Sequence, residues 1–234
     1  MCAVAMGTQG ELGILMLDTQ FPRIPGDVGN AETFSFPVRK HMVKNAYTRR
    51  VVLEGDTSLL EPFLQAAEQL QAEGVSAITT SCGFLAMFQK ELAARVHIPV
   101  FASSLLQVGL VGRELPEGQC VGIMTADSRN LDHRHFRGVG IEDIPKVVYG
   151  MEGTHFHHIF VEDTTDLDVE LARQNMVDVA QRMVKEHPEV GAIVFECTNM
   201  PPYADAVSAA VGRPVYDITT LANYMMSSLG PRNF

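Results

Sequence analysis

Two cysteines, Cys82 and Cys197, occupy equivalent places in the chain. Each follows an apolar, β-rich run (75–79 and 192–195), each opens a helical pattern, and each lies 17 residues before a proline, Pro99 or Pro214, that starts the next apolar run. Ligands of open parallel sheets gather at the carboxyl ends of the strands. A helix N-terminus there offers unpaired N–H groups and a positive potential, which favour a thiolate or a bound anion. A lone free cysteine is more often a small buried hydrophobe, and Cys2 and Cys120 are read that way. Two cysteines in matching settings point instead to acid–base work. Inverting a carbon stereocentre needs a base on one face and an acid on the other, which one thiolate and one thiol supply. The carbanion also needs N–H and O–H donors to hold it as an enediolate. Thr80, Ser81 and Gly83 beside Cys82, and Thr198 and Asn199 beside Cys197, have the right chemistry and position.

The elements that must carry these residues are legible as alternation. Apolar runs at 13–17, 75–79, 99–102, 121–124, 146–149, 192–195 and 214–218 suit strands buried on both faces. Between them, Leu60, Phe63, Leu64, Ala67 and Leu70 share one helical face, as do Val169, Ala172, Met176, Val179 and Met183. The pattern predicts a parallel, three-layer α/β fold. Helix starts are expected at Ser58 with Glu61, at Asp127 before 128–136, and at Thr165 with Asp168. The segment 18–50, with Pro22, Pro25, Gly26, Gly29 and Pro37, is too long for a turn and reads as a functional lid or as a surface excursion.

Sliding the chain by 115 residues superposes Val75, Ala77, Ile78, Cys82, Ala94, Val96, Pro99, Val100 and Leu106 on identical residues, nine matches in 32 ungapped positions. The halves therefore read as two pseudo-symmetric Rossmann-like lobes with the site in the cleft between them. The first lobe spans 12–112 together with a C-terminal helix at 219–230, and the second spans 118–218.

Composition narrows the partners. The 234 residues are 46% hydrophobic and 20% charged, an ordinary globular mixture. With 18 Lys and Arg against 28 Asp and Glu, the net charge of −10 and the lack of a basic stretch argue against nucleic acid or an anionic membrane. Four scattered cysteines suit a reducing compartment rather than a disulfide framework. The first 16 residues carry Glu11 and no basic flank, so neither a signal peptide nor a span is expected, and a cytoplasmic location follows. A small molecule is the expected partner, and a homodimer or higher homo-oligomer the expected assembly.

At this point ITTSCG (78–83) and FECTNMPP (195–202), set in duplicated α/β lobes, resemble the aspartate/glutamate racemase superfamily, which includes cofactor-independent amino-acid racemases, hydantoin racemases, maleate isomerases and arylmalonate decarboxylases. GIMTADS (122–128) is similar to that group's start of the second lobe, where a Thr or Ser reaches the substrate, here Thr125 or Ser128. The resemblance implies that Cys82 and Cys197 are the catalytic pair, that Thr198 and Asn199 contact substrate, and that Asp18 or Thr19 does so as well. Glutamate and aspartate racemases carry Asn-Thr after the first cysteine, where this chain has Gly83 and Phe84. The glutamate enzymes carry Thr-His after the second, where it has Thr198 and Asn199. Phe84 reads as an apolar pocket wall or as a core residue.

The expected activity is therefore cofactor-independent racemisation of an amino acid or related small carboxylate. Hydantoin racemisation, maleate-type isomerisation, arylmalonate-type decarboxylation and a non-enzymatic two-lobed ligand-binding protein are the alternatives. No metal is expected. The cluster His155, His157 and His158 lacks an acidic or cysteine partner at metal spacing, and His133 and His135 read as a solvated helical face. Gly26 to Gly29 lacks the strand–turn–helix setting of a dinucleotide loop.

Overall fold

Apolar runs that are continuous in the sequence become the central strands. β1 (Leu12–Met16), β3 (Ala77–Thr80), β5 (Cys120–Thr125) and β7 (Val190–Phe195) are buried along almost their whole length. Each is flanked in its sheet by a shorter or more exposed strand: β2 (Val38–Met42), β4 (Val100–Phe101), β6 (Lys146–Gly150) and β8 (Val215–Tyr216). The computed structural model describes residues 10–229, so Cys2 lies outside it. All pairings are parallel, with order β2-β1-β3-β4 in one sheet and β6-β5-β7-β8 in the other. The fold is α/β, two parallel four-stranded sheets with interleaved helices.

The helices are α1 (Leu60–Ala72), α2 (Gln89–Arg95), α3 (Val108–Glu114), α4 (His133–Val139), α5 (His155–Glu162), α6 (Val169–Glu186), α7 (Ala204–Val211) and α8 (Ile218–Leu229). Through Ile218, Leu221, Ala222 and Met226, α8 packs with Leu12, Ile14 and Phe101 of the first sheet. A larger apolar cluster runs without a break from Leu15, Phe63 and Ile78 of the first sheet to Ile123, Met176 and Phe195 of the second. Burying one such Leu or Phe contributes about 1.5–3 kcal/mol.

Several expectations need correction. The segment 18–50 is not a plain loop, because Val38–Met42 pairs in parallel with β1. The helix start near 57 is capped by Asp56, whose carboxylate accepts from Ser58 N–H, and a single 3₁₀ turn (Thr57–Leu59) precedes α1. No helix follows Asp127 directly. The residues after it form turns, and α4 begins at His133 behind a capping box of Asp132 and His135. Asp168, rather than Thr165, caps α6.

The two sheets are joined by buried polar contacts. Ser104 Oγ donates to the Phe195 carbonyl (2.5 Å), Gln107 Nε2 to the Asp217 carbonyl (2.8 Å) and Thr198 Oγ1 to the Ser81 carbonyl (2.7 Å). Away from water such bonds are hard to exchange, and they fix one relative placement of the halves.

Candidate active site

Both sheets end at the same place. β3 leads through Ser81 and Cys82 into a 3₁₀ turn (Gly83–Phe88), and β7 leads through Glu196 and Cys197 into a 3₁₀ turn (Pro201–Tyr203) and α7. Cys82 and Cys197 line one narrow cavity of about 20 Å³. That is room for a water molecule or so, and a substrate requires its walls to move. Leu17, Phe21, Val52, Phe84, Ala126, Phe160 and Val161 supply apolar walls, and Thr48, Ser81, Gly83, Glu196 and Asn199 complete the lining. No Lys or Arg is among them.

The thiols differ from the sequence expectation in one respect. Burial, aided by the charge of Glu196, pushes Cys82 and Cys197 well above the usual thiol range. Backbone N–H groups of Phe84 and Leu85 act on Cys82 in the opposite sense, but one 3₁₀ turn presents too few amides to offset full desolvation. The two are not equivalent. Arg23 favours the charged form of Cys82, whereas Asp27 and Cys82 disfavour that of Cys197. Cys197 Sγ instead donates to Asn199 Oδ1 at 3.4 Å. Cys82 is thus the thiol more readily ionised to serve as base, and Cys197 the one that stays protonated.

Beside Cys197 stands Glu196, part of the FECTNMPP stretch but not among the residues expected at the site. Its side chain is fully buried, Oε2 accepts from Thr125 Oγ1 at 2.7 Å, and Oε1 has no partner. Burial pushes its carboxyl up to about 8. A charged residue closing an otherwise apolar strand was the available signal. Its packing also accounts for Gly83, because a Cβ there would lie 2.1 Å from the Glu196 carbonyl oxygen and 2.2 Å from its Oε1.

Of the residues expected at the site, Cys82, Cys197, Ser81, Gly83, Phe84 and Asn199 line the cavity. Asp18, Thr19, Thr80, Thr125, Ser128 and Thr198 do not, and each is engaged elsewhere. Thr80 Oγ1 donates to the Ala102 carbonyl and Thr198 Oγ1 to that of Ser81. Thr125 holds Glu196, Ser128 Oγ donates to Glu152, Asp18 accepts from Asn45 N–H, and Thr19 accepts from Arg23. Phe84 fulfils both of its readings, as cavity wall and as a buried ring set edge-on to His135 at 5.0 Å. His135 is therefore not on a solvated face: it is 1% exposed and closes the α4 capping box. His155, His157 and His158 sit on α5, which follows β6, and His157 faces Asp127 at 3.2 Å. Among the described residues no group of three or more His, Cys, Asp or Glu is placed to hold a metal ion. Among the described residues no helix is long and apolar enough to cross a membrane.

A sequence profile described as Asp/Glu/hydantoin racemase matches residues 53–225. The chain is similar to a dimethylsulfoniopropionate lyase of Durusdinium sp. clade D, 33% identical over 92% of this chain and 74% of that protein. It is 31% identical to dimethylsulfoniopropionate lyase 6 of Emiliania huxleyi (strain CCMP1516) over 94% of this chain, and it spans only 60% of that relative. Among solved structures, unliganded arylmalonate decarboxylase superposes with a TM-score of 0.62 at 16% identity, covering 96% of this chain and 94% of the other, which is a likeness of fold.

Proposed function

The chain belongs to the Asp/Glu/hydantoin racemase family, and within it we propose that this protein is a carbon–sulfur lyase that splits dimethylsulfoniopropionate, or a close sulfonium carboxylate, into dimethyl sulfide and acrylate. One observation carries the reading: two thiols share a narrow cavity whose other lining residues are largely apolar and aromatic and include no Lys or Arg. An amino-acid diacid needs a cationic or strongly polar counterpart for its second carboxylate. A dimethylsulfonium group needs none, because it is a weakly hydrated cation that favours aromatic rings such as Phe84 and Phe160. The names of the curated relatives support the same substrate.

The chemistry follows from the asymmetry of the thiols. Cys82, as thiolate, takes a proton from the carbon next to the substrate carboxylate. The electron pair released forms the C–C double bond and expels neutral dimethyl sulfide from the next carbon, leaving acrylate and a Cys82 thiol that returns its proton to solvent. The sulfonium, placed beside the thiols, offsets the desolvation that otherwise keeps them protonated.

A second reading, racemisation of a small carboxylate, is favoured by the second thiol, since elimination needs one base and inversion needs two groups on opposite faces. Both readings share the first proton transfer. Headspace chromatography of dimethyl sulfide from dimethylsulfoniopropionate tests the lyase. Polarimetry on enantiopure aspartate, glutamate and allantoin tests the alternative. Release of dimethyl sulfide, abolished in Cys82→Ala and reduced in Cys197→Ala, is the expected result. Loss of optical rotation with no dimethyl sulfide would replace the lyase with the racemase.

A further inference from the structure

Among the described residues that line the cavity, two carry a buried side-chain oxygen without a partner: Glu196 at Oε1 and Thr48 at Oγ1. Orphaned buried polar atoms are costly, typically about 1–3 kcal/mol each, and two of them on residues that share one cavity wall point to a ligand that satisfies them. The chemistry of Glu196 says which kind. It is fully buried, and the only side chain hydrogen-bonding its carboxyl is the neutral donor Thr125, at Oε2. A carboxylate buried with no cation takes up a proton rather than stay charged. With Oε2 already accepting, the proton belongs on Oε1, the atom packed against the Gly83 backbone beside Cys82.

We infer that Glu196 is the substrate-anchoring residue of this site, a carboxylic acid whose Oε1 donates a hydrogen bond to a carboxylate oxygen of the bound substrate. The inference rests on the reading that the substrate is a small carboxylate, and it does not depend on which bond is broken afterwards. Thr48 is the second donor of the same kind. An acid in this role has an advantage over Lys or Arg: it strengthens its hydrogen bond as the substrate carboxylate gains enediolate charge, without a fixed positive charge that would repel a sulfonium.

Ionisation of Glu196 turns a donor into an anion facing an anion, so carboxylate binding weakens as pH rises through the Glu196 transition. The titratable and charged groups around it are few. Cys197 stands beside it at the end of β7 and Cys82 across the cavity, with Arg23 and Asp27 of the 18–50 segment acting on those thiols.

The test is binding of propionate, a substrate fragment that cannot react, by calorimetry between pH 6 and 9.5 in wild type, Glu196→Gln and Glu196→Ala. Gln keeps a donor toward the ligand and an acceptor toward Thr125 but cannot ionise. Wild-type affinity is expected to fall about tenfold from pH 7 to 9, Gln to bind within about threefold of wild type at pH 7 with a flat profile, and Ala to lose about tenfold or more. Affinity unchanged in Ala, or Gln as impaired as Ala at pH 7, overturns the inference. So does a trimethylsulfonium probe, rather than propionate, carrying the dependence on Glu196, since that outcome makes Glu196 a counter-ion to the cation. Far-UV circular dichroism and thermal unfolding of both variants separate loss of the site from loss of the fold. If propionate binds as expected while dimethylsulfoniopropionate is not cleaved, the anchor stands and the lyase reading falls.

Discussion

Asn199 Nδ2 donates to Asp27 Oδ2 at 2.6 Å, while its Oδ1 receives the thiol of Cys197. One amide thus fastens the loop carrying the second thiol to the segment that follows β1, and aims that thiol. Asp27 is itself fixed by Arg23 (2.8 Å) and by Gly29 N–H (2.7 Å). Asn199→Ala is expected to lower stability by about 1–3 kcal/mol and turnover by at least tenfold. Asn199→Asp should be worse, because it sets two carboxylates against each other. Chemical denaturation and steady-state kinetics read both, and wild-type turnover in Asn199→Ala would remove the aiming role.

The thiols carry a pH signature. Because both are pushed above the usual range by burial, their thiolate fraction is small at pH 7 and grows tenfold per pH unit until the raised pKa is reached. Alkylation by iodoacetamide, followed at each cysteine by mass spectrometry, should climb from pH 7 to 9.5 without levelling off. Levelling off toward pH 9.5 would show a thiol of ordinary acidity.

Gly83 is required by contact rather than by backbone conformation. Gly83→Ala forces a methyl group onto the Glu196 carbonyl and Oε1. A loss of about 1–3 kcal/mol is expected, with activity lost ahead of folding, and thermal unfolding beside turnover distinguishes the two.

Glu196 also couples stability to pH. Its carboxyl is raised from 4.5 in the unfolded chain to about 8 in the fold, so the folded state binds the extra proton between those values. Its contribution is complete below about pH 4.5 and is lost as pH rises through 8, up to about 5 kcal/mol in the limit of full burial. Glu196→Gln should flatten the decline in unfolding free energy between pH 6 and 8.5, measured by urea titration. An unchanged slope would place the proton elsewhere.

Phe21 and Phe160 meet edge to face at 5.1 Å where the cavity wall is formed by both halves of the chain. Phe160→Leu keeps the apolar volume and removes the ring. It should raise KM for a sulfonium substrate about threefold to thirtyfold, matching about 0.5–2 kcal/mol of cation–π attraction, and leave inhibition by acrylate within twofold. Equal losses for both ligands would mean that the ring only fills space.

Much of this was legible in the sequence, for identifiable reasons. Val121 to Met124 and Ala192 to Phe195 are apolar without interruption, and only a strand covered on both faces needs that. Two cysteines at one spacing from two such strands marked the strand ends. β2 escaped because an edge strand needs few apolar residues: Val38, Arg39, Lys40, His41 and Met42 are all at least partly exposed. It also sits at a different spacing from its counterpart β6 than the 115 residues that relate β3 to β7, so the repeat did not reveal it. Thr80, Thr125 and Thr198 had the right chemistry to bind substrate, but their partners are main-chain carbonyls and a carboxyl distant in sequence. Glu196 was marked only by its place at the end of an apolar strand, a signal that does not distinguish a carboxylate in water from one buried inside the fold.

The repeat that matches Cys82 to Cys197 also matches Ser81 to Glu196 and Phe84 to Asn199. The thiols therefore occupy matching positions of the repeat, but their neighbours do not match: one side offers a ring and a small hydroxyl, the other an acid and an amide. A ligand with a charged end and a greasy end has only one way round in such a chamber. On the proposed lyase reading, the two hydrogens of a methylene held there are distinguishable, and the unlike surroundings of the thiols impose prochiral selection on a substrate that has no stereocentre of its own.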